Sequence, residues 1–154
     1  MILLVLYNLR MKFYEIDLNK DPETLTAIRL VFDAFYSDAN TFKERAPYLL
    51  KVMTESTLTY CLEDQEEIVG VGALLKAPLD RRIAHLTNIA IEESMRGNGY
   101  GAEMVSRLEA QGKKSGCFLA ELRPHFDTDE FYDKLGYYPS ENDSRLYEKF
   151  LLED

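Results

Sequence analysis

Two rhythms of apolar and polar positions divide this chain. Alternation by two marks strands, and recurrence every three or four residues marks helices. Residues 11–16 read as an opening strand. Asp21-Pro22-Glu23 then signals a helix start, with proline near the first helical position and acids in the first turn. Leu25, Ile28, Val31, Phe32 and Phe35 follow at helical spacing, and 42–53 carry a sparser second helical pattern. Residues 57–62 and 68–75 are strand-like and joined by the polar 63–66, which predicts a hairpin. A third strand over 84–91 extends the antiparallel meander. Met104, Val105 and Leu108 form the stripe of a helix that begins near Ala102 and ends near Gly112. A strand over 118–122, a short helix over 128–135 ended by Gly136, and a final strand over 145–152 complete the series. The order β-α-α-β-β-β-α-β-α-β-β, which counts one strand more than the segments placed above, predicts a mixed α/β sheet. No linker, repeat or low-complexity segment interrupts it, so residues 1–154 read as one domain.

Composition narrows the class. The 154 residues are 46% hydrophobic and 29% charged, ordinary values for a globular protein. A formal net charge of −9, with no dense cluster of Lys and Arg, argues against a nucleic-acid partner and is compatible with a cationic amine substrate. Cys61 and Cys117 lie in apolar strand-like contexts without the paired spacing of a zinc or redox site. Buried reduced thiols, no bound metal and a cytoplasmic location are the corresponding expectations. The apolar opening 1–7 is far shorter than the ~20 residues that cross a bilayer, and it lacks a basic n-region and a cleavage site. No membrane association is expected; residues 1–10 read as an extension or a start-site artefact.

The most informative segment is Arg96-Gly97-Asn98-Gly99-Tyr100-Gly101, between the strand at 84–91 and the helix that follows. Glycines at a helix N-terminus expose backbone N–H groups where the helix dipole is positive, a setting for a pyrophosphate. A P-loop needs Lys then Ser or Thr after its last glycine; here Ala102 and Glu103 follow. A dinucleotide fingerprint needs G-x-G-x-x-G, and this spacing is G-x-G-x-G. Arg96, Gly99 and Gly101 instead fit Q/R-x-x-G-x-G/A, the acyl-CoA motif of the GNAT superfamily of N-acetyltransferases, and the chain resembles that superfamily. The preceding 86–93 looks like the strand that runs into its loop. Phe131-Tyr132-Asp133-Lys134-Leu135-Gly136-Tyr137 resembles its second motif, in the right order and at about the expected distance. His125 stands where an asparagine often precedes that tyrosine. The resemblance runs from about Met11 to the C-terminus.

It implies a mostly antiparallel central sheet with helices on both faces, and direct acetyl transfer from acetyl-CoA to a primary amine of a small molecule or peptide. The pantetheine arm is expected along Asn88, Ile89, Ala90 and Ile91, where that strand splays from 118–122. The pyrophosphate is expected on Arg96, Gly97, Asn98, Gly99, Tyr100, Gly101 and Ala102. Tyr132 takes the family's position near the CoA sulfur, and a phenol of pKa ~10 can protonate a thiolate of comparable basicity. The competing reading makes it a core aromatic, a role that Phe131 can fill instead. Ala120-Glu121-Leu122-Arg123 resembles the strand that carries a glutamate base in members acting on N-terminal amines. Glu121 is therefore the first choice for base, against a structural salt bridge to Arg123 or an exposed strand face. His85, Glu92, Glu93 and His125 are alternatives, and Asn88 could orient the amine or only satisfy backbone. A non-catalytic acyl-CoA-binding or partner-binding module on the same fold is the alternative function. The acceptor is unmarked: Tyr36, Phe42, Tyr48 and His125 are plausible lining residues. A monomer or homodimer is expected.

Overall fold

The computed structural model of the chain describes residues 10–36 and 41–152. The expectation for residues 1–10 therefore lies, Arg10 apart, outside the described residues. The elements run β1 (Met11–Ile16), α1 (Thr24–Phe35), α2 (Phe42–Ser56), β2 (Thr57–Asp64), β3 (Glu67–Leu75), a single turn α3 (Lys76–Leu79), β4 (Ile83–Ile91), a 3₁₀ turn (Glu93–Met95), α4 (Tyr100–Lys114), β5 (Leu119–Leu122), α5 (Asp129–Lys134), β6 (Tyr138–Pro139) and β7 (Tyr147–Phe150). They build one seven-stranded sheet in the order β1-β2-β3-β4-β5-β7-β6. Every pair is antiparallel except β4 with β5.

Strand alternation sends successive residues to opposite faces, and each face meets its own helices. On one face Met104, Val105 and Leu108 of α4 pack with Leu62, Leu86 and Leu122. On the other, Ile28, Val31 and Phe32 of α1 and Leu49 and Met53 of α2 pack with Cys61, Val71 and Ala90. Helices thus cover both faces, as the resemblance implies. Cys61 and Cys117 are buried free thiols, and burial pushes the Cys61 thiol up to about 12. Among the described residues no helix is long and apolar enough to cross a membrane.

The structure corrects several boundaries. The hairpin turn is two residues, Gln65-Glu66, not 63–66: both have positive φ, 52° and 67°, as a type I′ turn requires. That turn ordinarily calls for Asn-Gly, so its polar sequence pointed to a longer loop. Leu25, placed in the buried stripe by spacing, is 66% exposed. Helix α4 starts at Tyr100, two residues early, because Gly99 at φ 83° supplies its cap. Phe118 precedes β5, and the closing strand is only Tyr147–Phe150.

Candidate active site

The site begins with a mismatch of one residue. On β3, Val71 pairs with Ala90 and Ala73 with Thr87, so Gly72 alone faces both Asn88 and Ile89. This is a β-bulge, and Asn88 adopts φ 53°, a left-handed conformation that asparagine tolerates better than most residues. On its other side β4 pairs with β5 only from Ile83↔Leu119 to His85↔Glu121. Beyond that rung the parallel strands part, and the fork between them opens into a cleft of about 420 Å³.

Residues 85–89 of β4 form one wall of the cleft. Leu122, Arg123, Pro124 and His125 form the other, and Tyr132 and Thr128 close the side of α5. Phe35 reaches in from α1, its ring edge-on to His125 at 5.2 Å. Tyr132 is 8% exposed and packs edge-to-face on Phe131 and Tyr137. Burial pushes its phenol up to about 12. The division of labour expected between the two aromatics is reversed: Tyr132 belongs to the core cluster, while Phe131 is 36% exposed and lies over α4. A Cβ on Gly101 would stand 3.3 Å from the Phe131 Cζ, so that glycine lets α5 sit on the first turn of α4. Tyr132 is thus core and cleft wall at once.

Glu121 does not pair with Arg123. Its Oε1 lies 2.9 Å from His85 Nδ1, both side chains about 15% exposed. Arg123 lies past the end of β5 and donates to Asp143 Oδ2 at 2.9 Å. The Arg145 backbone N–H and Arg123 hold that carboxyl below the usual carboxylate range. Glu92 and Glu93 face elsewhere, into a crevice of about 790 Å³ between the end of β4 and α1, with Arg29, Asp33, Tyr36, Ile91 and Arg96. Ala90 is buried beneath α1 and α2 and pairs with Val71, so its side chain is closed to a ligand. Of the other expected lining residues, Phe42 packs on Phe32 and Tyr48 is 69% exposed on α2.

The glycine loop sits where β4 ends. Arg96 Nε donates to the Ile91 carbonyl at 3.2 Å and Asn98 Nδ2 to the Met95 carbonyl at 2.9 Å, so both side chains brace the loop itself. Gly97 and Gly99 have φ of 82° and 83°, and nothing lies within 4 Å of a Cβ built on either. The first bond of α4 runs from Glu103 N–H to the Gly99 carbonyl, which leaves the Gly101 and Ala102 amides outside the helix ladder. Across the sheet, Tyr100 donates its hydroxyl to Asp64 Oδ2 at 2.5 Å and anchors the helix start to β2. An open glycine cradle at the positive end of a 15-residue helix suits a pyrophosphate. Among the described residues no group of three or more His, Cys, Asp or Glu is placed to hold a metal ion.

The bulge, the His85–Glu121 rung and the cleft-facing Phe35, Thr87 and Thr128 escaped the sequence reading. Only pairing across 36 residues brings 85 and 121 together, and no local pattern announces it.

The sequence profile of the acetyltransferase (GNAT) family matches residues 6–137. The glucosamine 6-phosphate N-acetyltransferase of Trypanosoma brucei brucei is 28% identical over 94 residues; the match spans 58% of this chain and 64% of that protein. Among solved structures, an aminoglycoside 6′-N-acetyltransferase complexed with coenzyme A superposes with a TM-score of 0.66 at 19% identity, over 93% of this chain and 98% of that one. Ard1 from Thermoplasma volcanium does so with 0.68 at 16%, over 94% and 99%. At such identities the likeness is one of fold.

Proposed function

Because this chain belongs to the acetyltransferase (GNAT) family, we propose that it transfers an acetyl group from acetyl-CoA to the amine of a small molecule or peptide, by direct attack in a ternary complex. One observation carries the reading: a single fork in the sheet sets a buried tyrosine on a cleft wall, beside a strand that leads straight into an anion-ready helix start. Acetyl-CoA, when bound, would supply the activated thioester, with coenzyme A as the thiol released.

This chain's residues then divide the work. The Gly101 and Ala102 amides and the dipole of α4 hold the pyrophosphate, with Arg96 bracing the loop. The bulged backbone at Asn88 and Ile89, freed from the β3 ladder, offers hydrogen bonds to the pantetheine arm. Tyr132 keeps a proton for the leaving sulfur. The acceptor's ammonium gives its proton to the pair formed by His85 and Glu121. An amino sugar phosphate leads the acceptor candidates, since the curated relative is named for one.

Calorimetry with coenzyme A, followed by a free-thiol assay against glucosamine 6-phosphate, aminoglycosides, polyamines and peptides, tests the proposal. Saturable coenzyme A binding and thiol release with one acceptor class are expected. No coenzyme A binding by the folded chain overturns it.

A further inference from the structure

We infer that the proton acceptor for the attacking amine is His85, through Nε2, and that Glu121 is the positioning residue behind it. The inference rests on the acetyl-transfer reading and specifies its chemistry. His85 and Glu121 occupy the last rung of the parallel β4–β5 pair and stand side by side at the point where the fork opens. Only His85 borders the cleft. The Nδ1···Oε1 contact of 2.9 Å fixes the ring's roles. An ionised carboxylate can only accept, so in the neutral imidazole Nδ1 carries the hydrogen and Nε2 keeps its lone pair. Nε2 has no hydrogen-bond partner among the described residues. The cleft that His85 borders is the one that Tyr132 walls on the side of α5, so base and acid share one volume.

The charged and titratable groups around the ring come from three elements. Glu121 lies on β5, with Glu148 of β7 directly across from it. Arg123 and His125 follow β5, and Tyr132 faces from α5. From α1 only the uncharged Phe35 reaches this cleft. His125 is exposed and its ring leans on Phe35 rather than on a carboxylate. The step is a simple proton transfer. The ammonium N–H bond breaks, an Nε2–H bond forms, and the nitrogen keeps the electron pair as the nucleophile's lone pair. The resulting imidazolium faces the Glu121 carboxylate and returns its proton to water between turnovers.

The chain has only two histidines, so ¹⁵N-resolved imidazole spectra of the free protein read each ring directly. One ring is expected as the Nδ1–H tautomer. His85→Gln removes that signal, and Glu121→Ala converts it to the Nε2–H form; an Nε2–H ring at His85 in the folded wild type, identified as the signal that His85→Gln removes, overturns the inference. In turnover, His85→Gln should lower kcat/KM roughly 10²-fold and erase the acidic limb of its pH profile. Glu121→Gln should cost about 10-fold and keep the limb. The opposite pattern, with the limb lost only in Glu121→Gln, makes Glu121 the base. A limb unchanged in both variants means the amine loses its proton to water alone, which also overturns the inference. Coenzyme A calorimetry separates the two readings: absent binding by wild type sinks the acetyl-transfer reading, whatever tautomer is found.

Discussion

Tyr132 holds its proton more tightly than a phenol in water, since burial lifts it to about 12. The expectation of an ordinary phenol matched to an ordinary thiolate needs adjusting on both sides. A thiol buried in this same protein, Cys61, is also pushed up to about 12, chiefly by burial. On the proposed mechanism a leaving sulfur desolvated beside Tyr132 is raised in the same direction as the phenol. Tyr132→Phe should therefore lower kcat about 10²-fold while coenzyme A affinity holds. No hydrogen-bond partner is placed on the Tyr132 hydroxyl among the described residues, so its removal should leave unfolding free energy within ~0.5 kcal/mol. Urea unfolding and single-turnover rates check the pair; a large stability loss with an unchanged rate returns the residue to packing alone. At this scale the sequence named Tyr132 and Glu121 through a motif, yet misassigned their neighbours. Burial ranks Tyr132 above Phe131, and strand pairing gives Glu121 a partner 36 residues away instead of one two residues on.

Among the elements, α4 and the loop before it carry the cofactor proposal. Aspartate and asparagine both tolerate a left-handed backbone, and the space around Gly97 is open. Gly97→Asn and Gly97→Asp should thus fold alike, with melting temperatures close to each other. Only the aspartate puts a negative charge into the cradle, so it should weaken coenzyme A at least 10-fold while the asparagine does not; equal affinities in calorimetry would count against a pyrophosphate there. Gly112 acts on the same helix from its other end. A Cβ there would stand 2.7 Å from the Ala84 Cβ, so Gly112→Val should push α4 off β4 and cost about 1–3 kcal/mol in urea unfolding. Element order was readable because apolar periodicity tracks burial: Met104, Val105 and Leu108 are all buried as their spacing requires. Tight turns were less so. Gln65-Glu66 makes a two-residue hairpin without glycine, held by the β2–β3 ladder on either side rather than by local preference.

Taken as a whole, the molecule buries several protons that the unfolded chain gives up readily. Tyr60 and Tyr132 are both raised by burial to about 12, and Tyr14 and Tyr137 are raised further, by burial first and then by neighbouring acidic groups, Cys61 and Glu63 for Tyr14 and Glu109 for Tyr137. Unfolded phenols ionise near pH ~10. Below that pH both states keep their protons and the stability is fully present; above it only the folded chain does, so stability falls as pH rises toward the folded values. Urea unfolding free energies should accordingly show no tyrosine-linked change from pH 7 to 9 and drop steeply by pH 11, with a smaller drop in Tyr60→Phe. An equal drop in that variant would assign the alkaline loss to other groups. Fold and chemistry also separate at one position. Strand β4 holds one residue more than β3 opposite it, and every pair on either side of Asn88 would keep its partner and its face without that residue. Loss of a single codon would therefore heal the ladder rather than shift it. Most one-residue deletions in a central strand scramble the sheet; this one should give a chain that melts no earlier than its parent and transfers nothing. In a lineage of such proteins, catalysis could be discarded in one step with the architecture intact.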